Sequence, residues 1–336
     1  MGNHSNLIAY CIDNMQFWNM ETNPNISSQS IREARERIDH LVHRTPVLHS
    51  EAINDLASCE LFFKCENFQK VGAFKARGAA NAVLKLSKEE REKGVATHSS
   101  GNHAAALARA AKVARIPAYI VMPANAPDVK KRAVKGYGGI VIECEPNLLA
   151  REQGLKNVVD KYGATFIPPY NHLDVIEGQA TCALELFDAG YSLDVLIAPV
   201  GGGGLLAGTA LATGFYSPHT KVIGAEPEGA DDARRSFVAG YWIPIEKPNS
   251  VADGLLTSLG EINFDIISNK VEDILTVDDS QIIAAMRIIY ERMKIVIEPS
   301  SAVSLAIVLK NKSLFEGKKV GVILSGGNVD LSKLPF

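Results

Sequence analysis

The stretch GVATHSSGNHAAALARAAKVARIPAYIVM, residues 94–122, decides the fold. Its opening, GVATHSS (94–100), reads as a strand that stops at Gly101. NHAAALARAAKVA (102–114) is Ala-rich and reads as a helix. AYIVM (118–122) is a second strand, apolar throughout, as a strand covered on both faces should be. Strand, helix and strand in succession imply parallel pairing, because parallel strands need a crossover.

The same alternation continues in both directions. Upstream, IREARERIDHLVHR (31–44) has helical periodicity with Ser30 as its N-cap, ELFFKCE (60–66) is a short β-type run, and KARGAANAVLKLS (75–87) reads as a helix. Downstream come VKKRAVKGYG, GIVIEC and LLAREQGLKNVVDKYG, then the strand DVLIAPV (194–200) and a helix from about Leu205. KVIGAEP (221–227), two helices between about Ser280 and Lys310, and KKVGVILSGG (318–327) complete the series. The expectation is an α/β protein with open parallel sheets and two lobes around a cleft.

Composition narrows the function classes. Of 336 residues, 46% are hydrophobic, enough to fill a core. No run reaches the roughly 18 apolar residues of a membrane span, and a net charge of −3 offers no basic field to nucleic acid. Five cysteines, an odd number with no CxxC pair, favour reduced thiols in a cytoplasmic protein over a disulfide framework. Residues 1–29 lack the basic and apolar regions of a secretory signal and read as a poorly ordered leader.

Ligands of open α/β sheets gather at the carboxyl ends of strands, so unusual residues there carry the functional reading. In VGAFKARGAA (71–80), Lys75 stands among small and apolar residues. A lysine at a helix start is ordinarily solvated. Held in an apolar pocket, it loses its proton more readily and becomes a nucleophile suited to a Schiff base with an aldehyde such as pyridoxal phosphate. HSSGNH (98–103) crowds hydroxyls, an amide and imidazoles at a strand-to-helix turn. There Ser99 or Ser100 can cap the helix, or its free N–H groups can receive a carboxylate while Asn102 holds a phenolic oxygen. PVGGGGLLAG (199–208) lets the backbone approach an anion closely, and a phosphate is the natural guest. ILSGGNVD (323–330) aims Ser325 at a ring nitrogen or simply makes a tight turn.

The glycine loop has a rival reading. Gly202, Gly204 and Ala207 satisfy G-x-G-x-x-G/A, and Glu226 ends the next strand, as in a dinucleotide site. A nicotinamide-dependent dehydrogenase therefore stays open on these residues, although that fingerprint usually opens its domain and leaves Lys75 unexplained.

FQKVGAFKARGAANAV, THSSGNHAAALA, IPAYIVMPANAP, VIEGQATCALEL, VGGGGLLAG, GAEPEGADD, VADG, ERMKIVIEPSSA and VILSGGNVDL occur in one order between about Ile31 and Leu331. In this order they resemble the fold-type II pyridoxal phosphate enzymes, specifically the serine racemase and threonine/serine dehydratase family. The resemblance implies a large cofactor-binding domain from residues 30–96 and 171–336 and a small mobile domain of residues 97–170. It implies Lys75 as the lysine joined to the cofactor, Phe74 and Gly254 against the two ring faces, and Asn102 on the ring oxygen. Gly201, Gly202, Gly203 and Gly204, with the amide of Leu205, would cradle the phosphate, and Ser325 would face the pyridine nitrogen. The substrate carboxylate would sit on Ser99, Asn102 and His103, with Ser100 across the substrate from Lys75.

Two outcomes follow from the resemblance: racemisation, if Ser100 returns the proton, or elimination to pyruvate and ammonia, if the β-hydroxyl leaves. Activity on threonine or 3-hydroxyaspartate is the alternative within the family, since Val71 fits the hydroxyaspartate dehydratases. The resemblance also implies a divalent cation (Mg²⁺, Ca²⁺ or Mn²⁺) on Glu226, Asp232 and the carbonyl of Ala230, a homodimer, and an ATP effector site without assigned residues. Arg151 would reach a small amino-acid substrate on lobe closure, and Thr257 stands where the animal-type racemases carry serine. Ala180 replaces a customary glycine.

Overall fold

The computed structural model describes residues 26–336. Most of the leader reading concerns residues outside this range. Its last residues are ordered, and the first described helix already starts at Ser28 and runs to Ile38. Ser27 caps it, with Ser30 returning the hydrogen bond from the third helical position. The cap thus lies three residues before Ser30, the position that the periodicity indicates.

Among the described residues, ten strands form two sheets. The larger has the order β1 (Val47–Leu48), β2 (Glu60–Cys65), β10 (Lys319–Leu324), β7 (Val195–Pro199), β8 (Lys221–Pro227) and β9 (Asp273–Val277). All its pairs are parallel except β1 with β2. The smaller has the order β5 (Ile140–Cys144), β4 (Ala118–Pro123), β3 (Val95–His98) and β6 (Thr165–Phe166), all parallel. Every residue of β7 and all but the first of β10 are buried, which is why both read as unbroken apolar runs. The α/β expectation holds.

Chain order fixes where ligands can enter. From β7 the chain steps outward to β8 and β9, and then returns to lay β10 on the other side of β7. From β3 it steps to β4 and β5, then returns to lay β6 on the other side of β3. At both reversals the crossovers leave in opposite directions and open a crevice at the strand carboxyl ends. The glycine loop follows β7, Ser325 follows β10, and Ser99 to Asn102 follow β3. Thus three of the four marked stretches sit at the two switch points.

The remaining stretch enters through β2. Its continuation, residues 66–74, turns back so that Ala73 bridges Gly326 and the Phe74 amide donates to the Ser325 carbonyl at 3.0 Å. The helix Lys75–Lys85 begins there, packed against the helix Leu173–Asp188. Arg77 locks the two. Fully buried, it donates to both oxygens of Glu66 at 2.7 Å and to Glu185 at 2.8 and 2.9 Å. Among the described residues no helix is long and apolar enough to cross a membrane. Cys59, Cys65, Cys144 and Cys182 are free thiols, and Cys11 lies outside the described residues.

Candidate active site

Lys75 opens its helix at the end of the loop pinned to β10. Its Nζ donates to the Pro169 carbonyl at 2.6 Å, and lies 4.9 Å from the Phe74 ring centroid and 5.9 Å from that of Tyr170. Burial pushes the amine down to about 8, opposed by the negative charge of Glu298. A lysine of this kind yields free amine at mildly alkaline pH, the nucleophilic form.

The preceding loop carries strain. Val71 has φ 57° and ψ 12°, a left-handed conformation disfavoured for a β-branched residue. Its carbonyl accepts from Asn328 Nδ2 at 2.7 Å, so the same asparagine that touches the site holds the loop in place.

Gly201 to Leu205 are all buried. Their backbone amides find no acceptor among the described residues. Gly203, at φ +89°, turns the chain into the helix Gly204–Tyr216, adding that helix's N-terminal end to the cluster. Side chains are excluded here by packing. A Cβ on Gly202 would stand 2.3 Å from the Tyr170 ring, and one on Gly201 would stand 2.8 Å from the Leu255 backbone. Buried, unpaired donors at a helix start are the partners a phosphate needs, so this loop fits the phosphate of pyridoxal phosphate.

Ser325 is 2% exposed, with its hydroxyl 3.2 Å from that of Ser301. A neutral hydroxyl pair fits a pyridine nitrogen without enforcing its protonation. Gly254 lies in a short turn, its amide donating to Ser300 Oγ at 3.0 Å. Asn102 starts the helix Asn102–Ala114, and its Nδ2 donates to both oxygens of Glu298 at 3.0 and 3.1 Å.

In the same turn, Ser99 Oγ accepts from the Gly101 amide at 3.4 Å, and Ser100 is partly exposed with no hydrogen-bond partner among the described residues. His103 is buried with Nε2 2.9 Å from the Ile167 carbonyl, and burial holds it near pKa 3. Its Nε2 is therefore the protonated nitrogen of a neutral ring, and Nδ1, buried without a partner, is an acceptor. Thr257 Oγ1 lies 2.8 Å from the Tyr170 hydroxyl. Arg151, from the helix Leu148–Tyr162, has no ion-pair partner among the described residues. Its charge reaches Tyr170 and His98.

Glu226, near the end of β8, and Ala230 and Asp232, which follow that strand, are all buried. Glu226 accepts from the amides of Ala233 and Arg234 at 2.9 and 2.8 Å, so both of its oxygens cap the helix Asp232–Ala239. Asp232 accepts from the Leu259 amide at 2.7 Å through one oxygen, while the other is buried without a partner. Burial raises Asp232 to about 6 and Glu226 well above the usual carboxylate range. Two buried acids and an orphaned oxygen fit a hard cation.

Sequence reasoning missed Glu298, Tyr170, Ser300, Ser301 and Asn328. All but Tyr170 lay inside a quoted motif, but nothing in their spacing marked them.

A protein-family model described as "Pyridoxal-phosphate dependent enzyme" matches residues 38–326, and the chain belongs to that family. With it the nicotinamide reading of the glycine loop falls away. Among curated proteins, the chain is 51% identical to the beta-hydroxyaspartate dehydratase of Paracoccus denitrificans, over 90% of this chain and 96% of that one. It is 48% identical to the serine racemase of Dictyostelium discoideum, over 94% and 98% of the two chains. The solved structure of maize serine racemase superposes with a TM-score of 0.88 at 46% identity, covering 90% of this chain and 94% of the other.

Proposed function

We propose that this chain is a pyridoxal phosphate-dependent serine racemase that also converts L-serine to pyruvate and ammonia, by loss of the β-hydroxyl as water followed by hydrolysis of the unsaturated amine. The observation that carries the reading is the Lys75 amine, its basicity reduced to about 8 by burial, in a site that also holds a loop of buried, unpaired amides. Pyridoxal phosphate, when bound, supplies an electron sink for the Cα of an amino acid. The chain's own residues do the rest. Gly201 to Leu205 hold the phosphate, Phe74 and Gly254 flank the ring, Asn102 and Ser325 set its oxygen and nitrogen. Ser99 and the backbone amides of Asn102 and His103 at the helix start would receive the substrate carboxylate, since the neutral His103 ring donates its one proton to the Ile167 carbonyl. Lys75 Nζ takes the Cα proton from one face, and Ser100 Oγ gives one from the other. Loss of the β-hydroxyl in place of that return gives elimination.

A second substrate is favoured by one feature. Arg151, without an ion-pair partner among the described residues, is a cation whose charge reaches the Tyr170–Thr257 hydroxyl pair, and a second carboxylate would satisfy it. L-threo-3-hydroxyaspartate supplies one, and the likeness to a beta-hydroxyaspartate dehydratase points the same way. Threonine, without that carboxylate, does not engage Arg151.

The wider reading is a cytoplasmic homodimer, with residues 97–170 as the small mobile domain and a divalent cation on Glu226, Asp232 and the Ala230 carbonyl. Free thiols accord with the cytoplasm, and the orphaned Asp232 oxygen supports the cation. ATP as effector belongs to the same reading and has no assigned residues. The test supplies L-serine and L-threo-3-hydroxyaspartate separately and assays D-serine, pyruvate and oxaloacetate. Ser100→Ala is expected to abolish D-serine while pyruvate release partly survives. Equal loss of both contradicts the two-face scheme.

A further inference from the structure

Glu298 has no part in the proton transfers above, yet it occupies the centre of the site. It is 4% exposed and sits directly before the helix Pro299–Lys310. One oxygen lies where a Cβ on Gly326 would come within 2.7 Å. Its carboxylate receives both Asn102 Nδ2 contacts and the Asn328 amide at 3.2 Å. Asn328 Nδ2 in turn donates to Asn102 Oδ1 at 2.9 Å. The Asn102 amide is thereby fixed at both ends.

Asn102 belongs to the helix that follows β3 of the four-stranded sheet, whereas Glu298 and Asn328 flank β10 of the six-stranded one. The same hydrogen bonds therefore join the two sheets across the cleft. A carboxylate only accepts hydrogen bonds, but a carboxylic acid must donate one. Protonation of Glu298 removes an acceptor from an Asn102 amide that has no freedom to turn. The charged groups that act on Glu298 include Lys75, Asp253 and Lys130, and Lys130 also bridges to Asp253 at 3.1 Å. Burial raises Glu298 to about 7, so its charge changes near neutrality.

We propose that Glu298 is a positioning residue: its ionised carboxylate orients Asn102 toward the cofactor ring oxygen and holds the two sheets together at the site. The inference rests on the proposed placement of the cofactor on Lys75 and Asn102. In the wild-type holoenzyme, cofactor dissociation is measured by dialysis and fluorescence across neutral pH, and the pH dependence of its visible absorption is recorded. The dissociation constant is expected to rise as pH falls through about 7. Glu298→Gln is expected to weaken cofactor binding on the order of tenfold above that pH and to flatten this step. Glu298→Asp, which keeps the charge, is expected to retain it.

Wild-type affinity in Glu298→Gln, or the same pH step in that variant, overturns the inference. So does the absence of a step in wild type, a result that needs no variant to fold. Failure of wild type to form a borohydride-fixed bond at Lys75 instead sinks the cofactor placement itself, and the two failures are read separately.

Discussion

Replacing Arg77 with methionine tests how the Lys75 helix is anchored. The guanidinium makes six hydrogen bonds, five of 2.7 to 3.2 Å to Glu66, Glu185 and Thr181 and one of 3.5 Å to the His43 carbonyl. Without it, among the described residues Glu66 keeps only the Thr45 hydroxyl as a hydrogen-bond partner, at 2.6 Å, while Glu185 keeps Lys64 at 2.7 Å and Arg35 at 3.4 Å. Arg77 holds Glu66 down to about 2 against the opposing effect of burial, so the substitution strands a buried anion. Removing one partner of a buried pair costs about 3–5 kcal/mol. At the usual unfolding entropy per residue, a chain of 336 residues loses about 4–7 °C in Tm. Differential scanning calorimetry of the holoprotein reads this directly. Adding Glu66→Gln is expected to return at least about 1 kcal/mol, because it removes the stranded charge. An Arg77→Met protein that melts within about 1 °C of wild type refutes the claim that this network pins the helix.

Gly202→Ala places a methyl group 2.3 Å from the Tyr170 ring, and overpacking of this kind costs on the order of 1–3 kcal/mol. Cofactor retention should drop and should recover partly when Tyr170→Ala is added; unchanged retention in the single variant contradicts the packing described. For Lys75, the folded amine titrates at about 8 and the unfolded one near 10.5, so between these values the unfolded chain binds more protons. Stability of the cofactor-free protein should therefore gain from raising pH across that window, and Lys75→Met should remove that part of the slope in urea titrations. Arg151→Ala should lower kcat/KM for L-threo-3-hydroxyaspartate by about 10- to 100-fold while altering L-serine turnover far less. Equal effects on both substrates contradict a carboxylate role for Arg151.

Much of this was legible in the residues themselves. β7 and β10 are buried along nearly their whole length, so their apolar runs announced parallel strands, and their glycine-rich ends announced the site. The helix Leu173–Asp188 was not legible as an element. Every residue from Val175 to Leu186 is buried, including Glu177, Gln179 and Glu185, which erases the helical stripe that a half-exposed helix would show. Glu298 and Tyr170 escaped for a different reason. Each acts through neighbours far along the chain, Asn102 for one and Gly202 with Thr257 for the other, and spacing cannot reveal such contacts. Val71 stood out as an unusual residue, but its left-handed backbone became visible only with the Asn328 contact that holds it.

Borohydride treatment of the holoprotein, followed by digestion and mass spectrometry, reaches the root of the account. The cofactor should be fixed on the peptide containing Lys75, at that nitrogen and at no other lysine. Holoprotein whose Lys75 peptide emerges unmodified, with the cofactor lost or found on another residue, contradicts it.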